Sequence, residues 1–432
     1  MSQVYYEKLD ETLFRQVLPN GLTVLVVPKP GFSRKLAYFV TDYGSIHTHF
    51  RLDGQDYLAP AGVAHYLEHK LFDMPGGRDI SAEFAACGAS VNAFTSYDMT
   101  AYYFSCTTHF DHCLRLLLEF VSTPYFTEET VAKELGIIGQ EISMNEDSAD
   151  TRVFENLMQA MYREHQIREP ILGTAETIAQ ITPQILHTCH RAFYTPGNMV
   201  LCVVGDVDAA AVVEAARQVL GDEKRSVGEK LRPWQENMTC PQKEVTAAME
   251  VAMPTFQMGF KCAPLGTGME AVRREILGDL VAEALFGESS ELYLRLYEEG
   301  LIDSSFGGGF ETVDGMAMLT ISGDSDDPLA VRDAVLAQGK HLADRGVDPK
   351  DFLRMKRSAM GRRIRDLDSF DGVCFRLCAY HFSEFDYFDF PAVYASVTEA
   401  QIRDFIRQTV TAERCAISVV NPLDAGQKEV LS

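Results

Sequence analysis

Ten cysteines occur without a single C-x-x-C pair, and several lie in apolar surroundings such as Leu201-Cys202-Val203-Val204, so they read as reduced, buried thiols. Cys374 and Cys378, one helical turn apart, are placed as two core thiols rather than a metal or redox pair. Positive charge is scarce: 39 Lys and Arg face 62 Asp and Glu, a net charge of −23. That balance opposes binding to nucleic acid or an anionic membrane, where Lys and Arg neutralise phosphates. No stretch approaches the length of a membrane span, and Met1 to Asp10 has no basic segment leading into an apolar run. A cytoplasmic protein with neither nucleic-acid nor membrane partners is expected. What is present is ordinary for a globular chain, with 46% hydrophobic and 23% charged residues. At 432 residues it is too long for one core, so two or more domains are expected.

One stretch, Gly62-Val63-Ala64-His65-Tyr66-Leu67-Glu68-His69-Lys70-Leu71-Phe72, combines two kinds of pattern. At 3.6 residues per turn His65, Glu68, His69 and Phe72 share one face, while Val63, Leu67 and Leu71 share another. One face packs and the other is available for chemistry. Histidines one turn apart can aim at a single ion, and a carboxylate beside them can act on water carried by that ion. This is the inverted zinc signature H-x-x-E-H. The bland alternative is a surface helix that happens to carry two His and a Glu. A catalytic zinc usually takes three protein ligands, so the pair needs a distant partner, and residues 127 to 165 are rich in acids.

Around this stretch the pattern is mixed. Gln16 to Pro28 forms two strands about Pro19-Asn20-Gly21, Lys35 to Asp42 a further strand, and Gly44 to Leu58 loses periodicity before Pro60 opens the motif helix. Asp79 to Ala86 is a helix ended by Gly88, and Ala89 to Ser105 alternates as strands. A strand edge beside a peptidase site can pair with an extended peptide, and Asn92 and Ala93 are the candidates for that contact. Thr127 caps a long helix carrying Glu141 and Glu146. Five positions apart, these diverge by about 140° on a straight helix, so only one can easily face a metal. His109, His112, His187 and His190 lie on helices whose apolar faces account for them. Asn198 to Val207 is a strand that runs into a turn and helix.

Residues 1 to 220 thus form one α+β unit, and 221 to 240 a polar linker with Trp234 as its anchor. Residues 241 to 432 form a second unit that echoes the first. Leu301 to Ala317 repeats the order of helix, glycine and small-residue strand seen from Gly88 to Ala101. No second H-x-x-E-H occurs, so chemistry is expected in one half only.

These pieces together resemble the pitrilysin, or insulinase, family of zinc peptidases over nearly the whole chain. The matching segments are His65 to His69, Gly88 to Thr95 with Asn92-Ala93, Glu146, and Asn198-Met199 leading to Val203-Val204-Gly205-Asp206. By this resemblance His65, His69 and Glu146 bind Zn2+ and Glu68 is the base. Glu146 follows His69 after the interval from 70 to 145, which is the family's spacing to its third ligand. Some members carry another acid seven positions earlier; here that place is Gly139, and Glu141 is the substitute outer carboxylate. The implied fold is two homologous α/β-sandwich domains of the processing-peptidase type. The implied function is a zinc endopeptidase acting on peptides or unfolded segments. Catalytic chambers of the family draw an Arg and a Tyr from a second-half segment like L-R-x-x-x-G-L-x-Y, whereas this chain has Tyr297 and Asp303 there. A related partner chain in a heterodimer, with a homodimer as the variant, is therefore expected. The alternative is a non-catalytic peptide-binding or scaffold subunit of a processing complex.

Overall fold

A computed structural model describes residues 1–232 and 234–424. The Pro19-Asn20-Gly21 turn joins Glu11–Val17 to Thr23–Pro28, as its sequence requires. These strands enter a seven-stranded sheet in the order Ser2–Tyr6, Glu11–Val17, Thr23–Pro28, Met199–Gly205, Lys35–Thr41, Thr100–Cys106 and Ser90–Thr95. Only the pairing of Thr23–Pro28 with Met199–Gly205 is parallel. The central strands are apolar on both faces and buried on both, which is the condition for helices to cover each side. Phe39, Tyr102, Phe104, Leu201 and Val203 belong to one large core with Leu67, Leu71, Leu114, Leu117 and Leu186 from helices. The opposite face receives the helix Phe370–Phe382.

The second sheet orders Glu244–Met249, Cys415–Pro422, Thr255–Cys262, Met316–Asp324 and Gly307–Val313. Here too one pair is parallel, Glu244–Met249 with Cys415–Pro422, and the next three pairings are antiparallel. Strand for strand this repeats the five strands of the first sheet from Thr23–Pro28 to the edge strand Ser90–Thr95, so the echo in the sequence is a duplicated topology.

The compact units are not two contiguous halves. Of the described residues, one gathers 1–142, 169–232 and 363–389, and the other gathers 143–168, 234–362 and 390–424. The helix Ala149–Met161, from the first half of the chain, packs on the second sheet. Phe370–Phe382, from the second half, packs on the first. The stretch expected as a linker also divides. Glu229–Lys230 pairs with His49–Leu52, and Lys230 binds Asp42 at 2.6 Å, within the first unit. Trp234 meets His165 edge-on at 4.7 Å within the second.

All ten cysteines are free and nine are buried. Cys374 lies with its Sγ 3.9 Å from the Cys202 carbonyl oxygen, packed on the sheet as expected of a core thiol. The aperiodic segment 44–58 contains a hairpin, His49–Leu52 with Gln55–Leu58. No helix among the described residues is long and apolar enough to cross a membrane.

Candidate metal centre

The motif helix spans Val63–Lys70. It starts at Gly62, whose φ of 90° is left-handed and whose absent Cβ would stand 2.4 Å from the Leu172 carbonyl oxygen. Glycine is required there on both counts. Val63, Ala64, Tyr66 and Leu67 are buried in the core and fix the rotation of the helix. His65 and His69 then emerge side by side, with ring centroids 4.6 Å apart.

The helix Glu128–Glu146 runs past them, seated by buried Val131, Ile138 and Ile142. Between these positions it presents Glu134 and Glu141. His65 Nε2 lies 3.7 Å from Glu141 Oε1, and His69 Nε2 lies 3.7 Å from Glu141 Oε2. Those gaps are too long for hydrogen bonds. They approach the spacing of about 3.4 Å between two atoms each held about 2.0–2.1 Å from a tetrahedral zinc. Among the described residues His65, His69 and Glu141 are the group of three that could hold a metal, with donor atoms within 4.8 Å of one another. Glu146, the expected third member, is in the last turn of the helix and outside this group. The reason is rotational: the face that carries Glu141 to the histidines carries Glu146 about 140° away.

Glu134 joins the site without having been expected from the sequence. Its Oε1 lies 2.9 Å from His69 Nδ1, which turns His69 Nε2 toward Glu141. Burial raises the Glu134 pKa, but His69, Lys70 and Lys133 outweigh it and the net shift is downward. Burial works to lower His69, and the Glu134 bond with the charges of Glu68, Glu134 and Glu141 reverses it to a raised value. His65 is 6% exposed, and burial together with neighbouring His69 lowers it to about 3. It is therefore a neutral imidazole. Its buried Nδ1 has no hydrogen-bond partner among the described residues, and its Nε2 is the nitrogen that faces Glu141.

Glu68 is beside the cluster but not one of its three members. The Thr95 hydroxyl donates to its Oε2 at 2.7 Å. Burial raises the Glu68 pKa, and the Thr95 bond partly offsets that rise. Thr95 ends Ser90–Thr95, the outermost strand of the first sheet, so the free edge and the carboxylate are physically linked. Asn92 and Ala93 lie on that edge strand, and Asn92 Oδ1 accepts from the Ala93 N–H at 2.9 Å.

The donor set of two imidazoles and a carboxylate is that of a catalytic zinc with a position left for water. Other candidates are accounted for by packing. His190 is buried with Nε2 3.0 Å from the Val121 carbonyl oxygen, and His187 packs against Phe126. His109 is the left-handed residue preceding the helix Phe110–Ser122.

Comparisons with known proteins match two successive parts of the chain. Residues 55–175 match the family model described as Insulinase (Peptidase family M16), and 180–359 match the one described as Peptidase M16 inactive domain. The chain belongs to peptidase family M16. The uncharacterized zinc protease YmfH of Bacillus subtilis (strain 168) is 36% identical over 427 residues, covering 97% of this chain and 99% of that protein. The crystal structure of an M16-like peptidase from Alicyclobacillus acidocaldarius superposes with a TM-score of 0.91 at 32% identity, over 96% of this chain and 99% of that one. A protease from Helicobacter pylori, at 18% identity and a TM-score of 0.82, shares the fold over 95% of this chain and 99% of its own. The duplicated α+β architecture is thus a pair of M16 domains, with the H-x-x-E-H stretch in the first.

Proposed function

We propose that this chain is the zinc-carrying subunit of an endopeptidase acting on peptides or unfolded segments, with His65, His69 and Glu141 as metal ligands and Glu68 as general base. The observation that carries this reading is the separation of roles. Two Nε2 atoms converge on one carboxylate, while a second carboxylate stands apart from the set and is tied to a free strand edge. A purely structural site has no use for that second acid. Zinc, when bound there, supplies a Lewis acid and an acidified water. Glu68 takes a proton from the attacking water and returns it to the leaving nitrogen. Its raised pKa, from burial, moves it toward the range in which both transfers are feasible. An extended peptide adds to Ser90–Thr95 by backbone pairing, with Asn92 and Ala93 at the contact. Buried free thiols accord with a reducing compartment, and we place the protein in the cytoplasm.

The second half favours a partner. Tyr297 is 54% exposed and stacks on Tyr293. Asp303 accepts from the Ser305 N–H at 2.7 Å and from the Ser305 hydroxyl at 2.5 Å, which lowers its pKa and keeps it ionised. An ionised carboxylate has no hydrogen to give an oxyanion. A related chain therefore supplies the donors, in a heterodimer.

Glu68→Gln, assayed with the partner chain present, should retain zinc and peptide binding while turnover falls by about 10² to 10⁴, the usual worth of general-base help. Equal turnover in the variant would remove the mechanism and leave the non-catalytic, peptide-binding subunit as the better description.

A further inference from the structure

Lys70 follows His69 directly, yet it is only 1% exposed. A buried ammonium is costly without partners, and this one has three. Its Nζ binds the Asp73 carboxylate, donates to the Thr130 carbonyl oxygen at 3.1 Å and lies 3.8 Å from Glu134 Oε2. Thr130 and Glu134 both belong to Glu128–Glu146, the helix that also carries Glu141. A single cation on the motif helix therefore grips the acid-bearing helix near its start, one turn before Glu134.

The two oxygens of Glu134 divide their work. Oε1 meets His69 Nδ1 at 2.9 Å, and Oε2 faces Lys70 at 3.8 Å. The bond at Oε1 and the longer ion pair at Oε2 together resist rotation of the carboxylate away from His69. An imidazole that donates Nδ1–H to a fixed carboxylate keeps the lone pair on Nε2, the nitrogen that points at Glu141. We infer that Lys70 is a positioning residue for the metal centre, acting through Glu134 to hold His69 in the tautomer and orientation that ligation needs. This inference rests on the proposed metal site.

The competing account is that Lys70 merely staples two helices. The two differ in how its effect combines with that of Glu134. Zinc affinity should be measured by chelator competition for the wild type, Lys70→Met, Glu134→Gln and the double variant. Each single variant should bind zinc about 10- to 100-fold more weakly, the usual effect of losing an outer partner of a ligand. The double variant should be no weaker than Glu134→Gln alone, because both act through one bond. Histidine-labelled nitrogen NMR of the metal-free protein supplies a second readout: His69 should carry its proton on Nδ1 in the wild type and populate both tautomers in Lys70→Met. Should Lys70→Met not fold, Lys70→Gln, which keeps a donor for the Thr130 carbonyl but no charge, takes its place. Unchanged zinc affinity, additive losses, or an unaltered His69 tautomer would overturn the inference. If instead Glu141→Gln bound zinc normally, the metal assignment would fail, while the tautomer measurement would still judge the link from Lys70 to His69.

Discussion

Glu134 and Glu141 stand seven positions apart, about 700° of helix rotation, so their side chains leave Glu128–Glu146 within about 20° of each other. That face meets His65 and His69, and Glu146 lies about 140° away from it. Glu141→Gln is expected to strip most of the zinc, whereas Glu146→Gln should stay fully loaded, as metal analysis of the purified proteins will show. Full zinc in the first and loss in the second would restore the family's long spacing from His69 as the better guide. The adjacency of His65, Glu68 and His69 was legible because neighbouring positions on a short helix leave no freedom in their relative placement. The carboxylate that meets the two histidines was not, since a count along so long an interval crosses several loops, and a small change of length in any of them shifts it. The angular argument was available from the sequence, and it named Glu141 and Glu146 as mutually exclusive. Glu134, at the seventh position before Glu141, is the sequence signal that favours Glu141. Lys70 carried no signal at all, because its burial depends on a helix remote from it in the chain.

At the scale of elements, strands and most helices followed from alternation and capping. Asp79, Ser148, Thr174, Thr182 and Ser290 each cap a helix by accepting a backbone N–H. Segment 44–58, which loses periodicity in the sequence, holds a hairpin that turns at Asp53-Gly54 with φ of 51° and 80°, the left-handed pair that a two-residue turn needs. Its two strands are only four residues each, too short to show alternation. The crossing of Ala149–Met161 and Phe370–Phe382 into the other half's unit has no local signature, because an apolar helix face does not specify which sheet it will cover. The motif helix depends on Gly62 for its start. Gly62→Ala introduces a left-handed non-glycine residue, costing about 1–3 kcal/mol, and adds a Cβ 2.4 Å from a carbonyl oxygen. We expect urea unfolding of the metal-free protein to show at least that loss, together with weaker zinc binding as the helix is displaced. A stability within about 0.5 kcal/mol of wild type, the range of innocuous surface changes, would mean that the helix start is not held as described.

For the molecule as a whole, duplication has left one half with a His-His-Glu group that could hold a metal and the other without such a group among the described residues. Asp303 sits where the resemblance calls for a donor toward developing negative charge, and its bonds to Ser305 lower its pKa and hold it ionised. A preorganised oxyanion donor is commonly worth about 10² to 10³ in rate, so its absence is felt in turnover rather than in zinc loading. A second copy of this chain would bring the same Asp303, and counted back from Gly300 the Arg place of the motif falls on Leu296 rather than Tyr297, so a second copy would not repair the deficit. A related chain with Arg and Tyr in those places would. The isolated chain is therefore expected to purify with about one zinc and to cleave a peptide library slowly or not at all, and adding the related chain should raise kcat by at least the worth of one donor. The measurement is cleavage by the zinc-loaded chain alone across a dilution series. Brisk turnover that persists at concentrations where every complex has dissociated would show that the chain is self-sufficient, and the heterodimer would have to be abandoned.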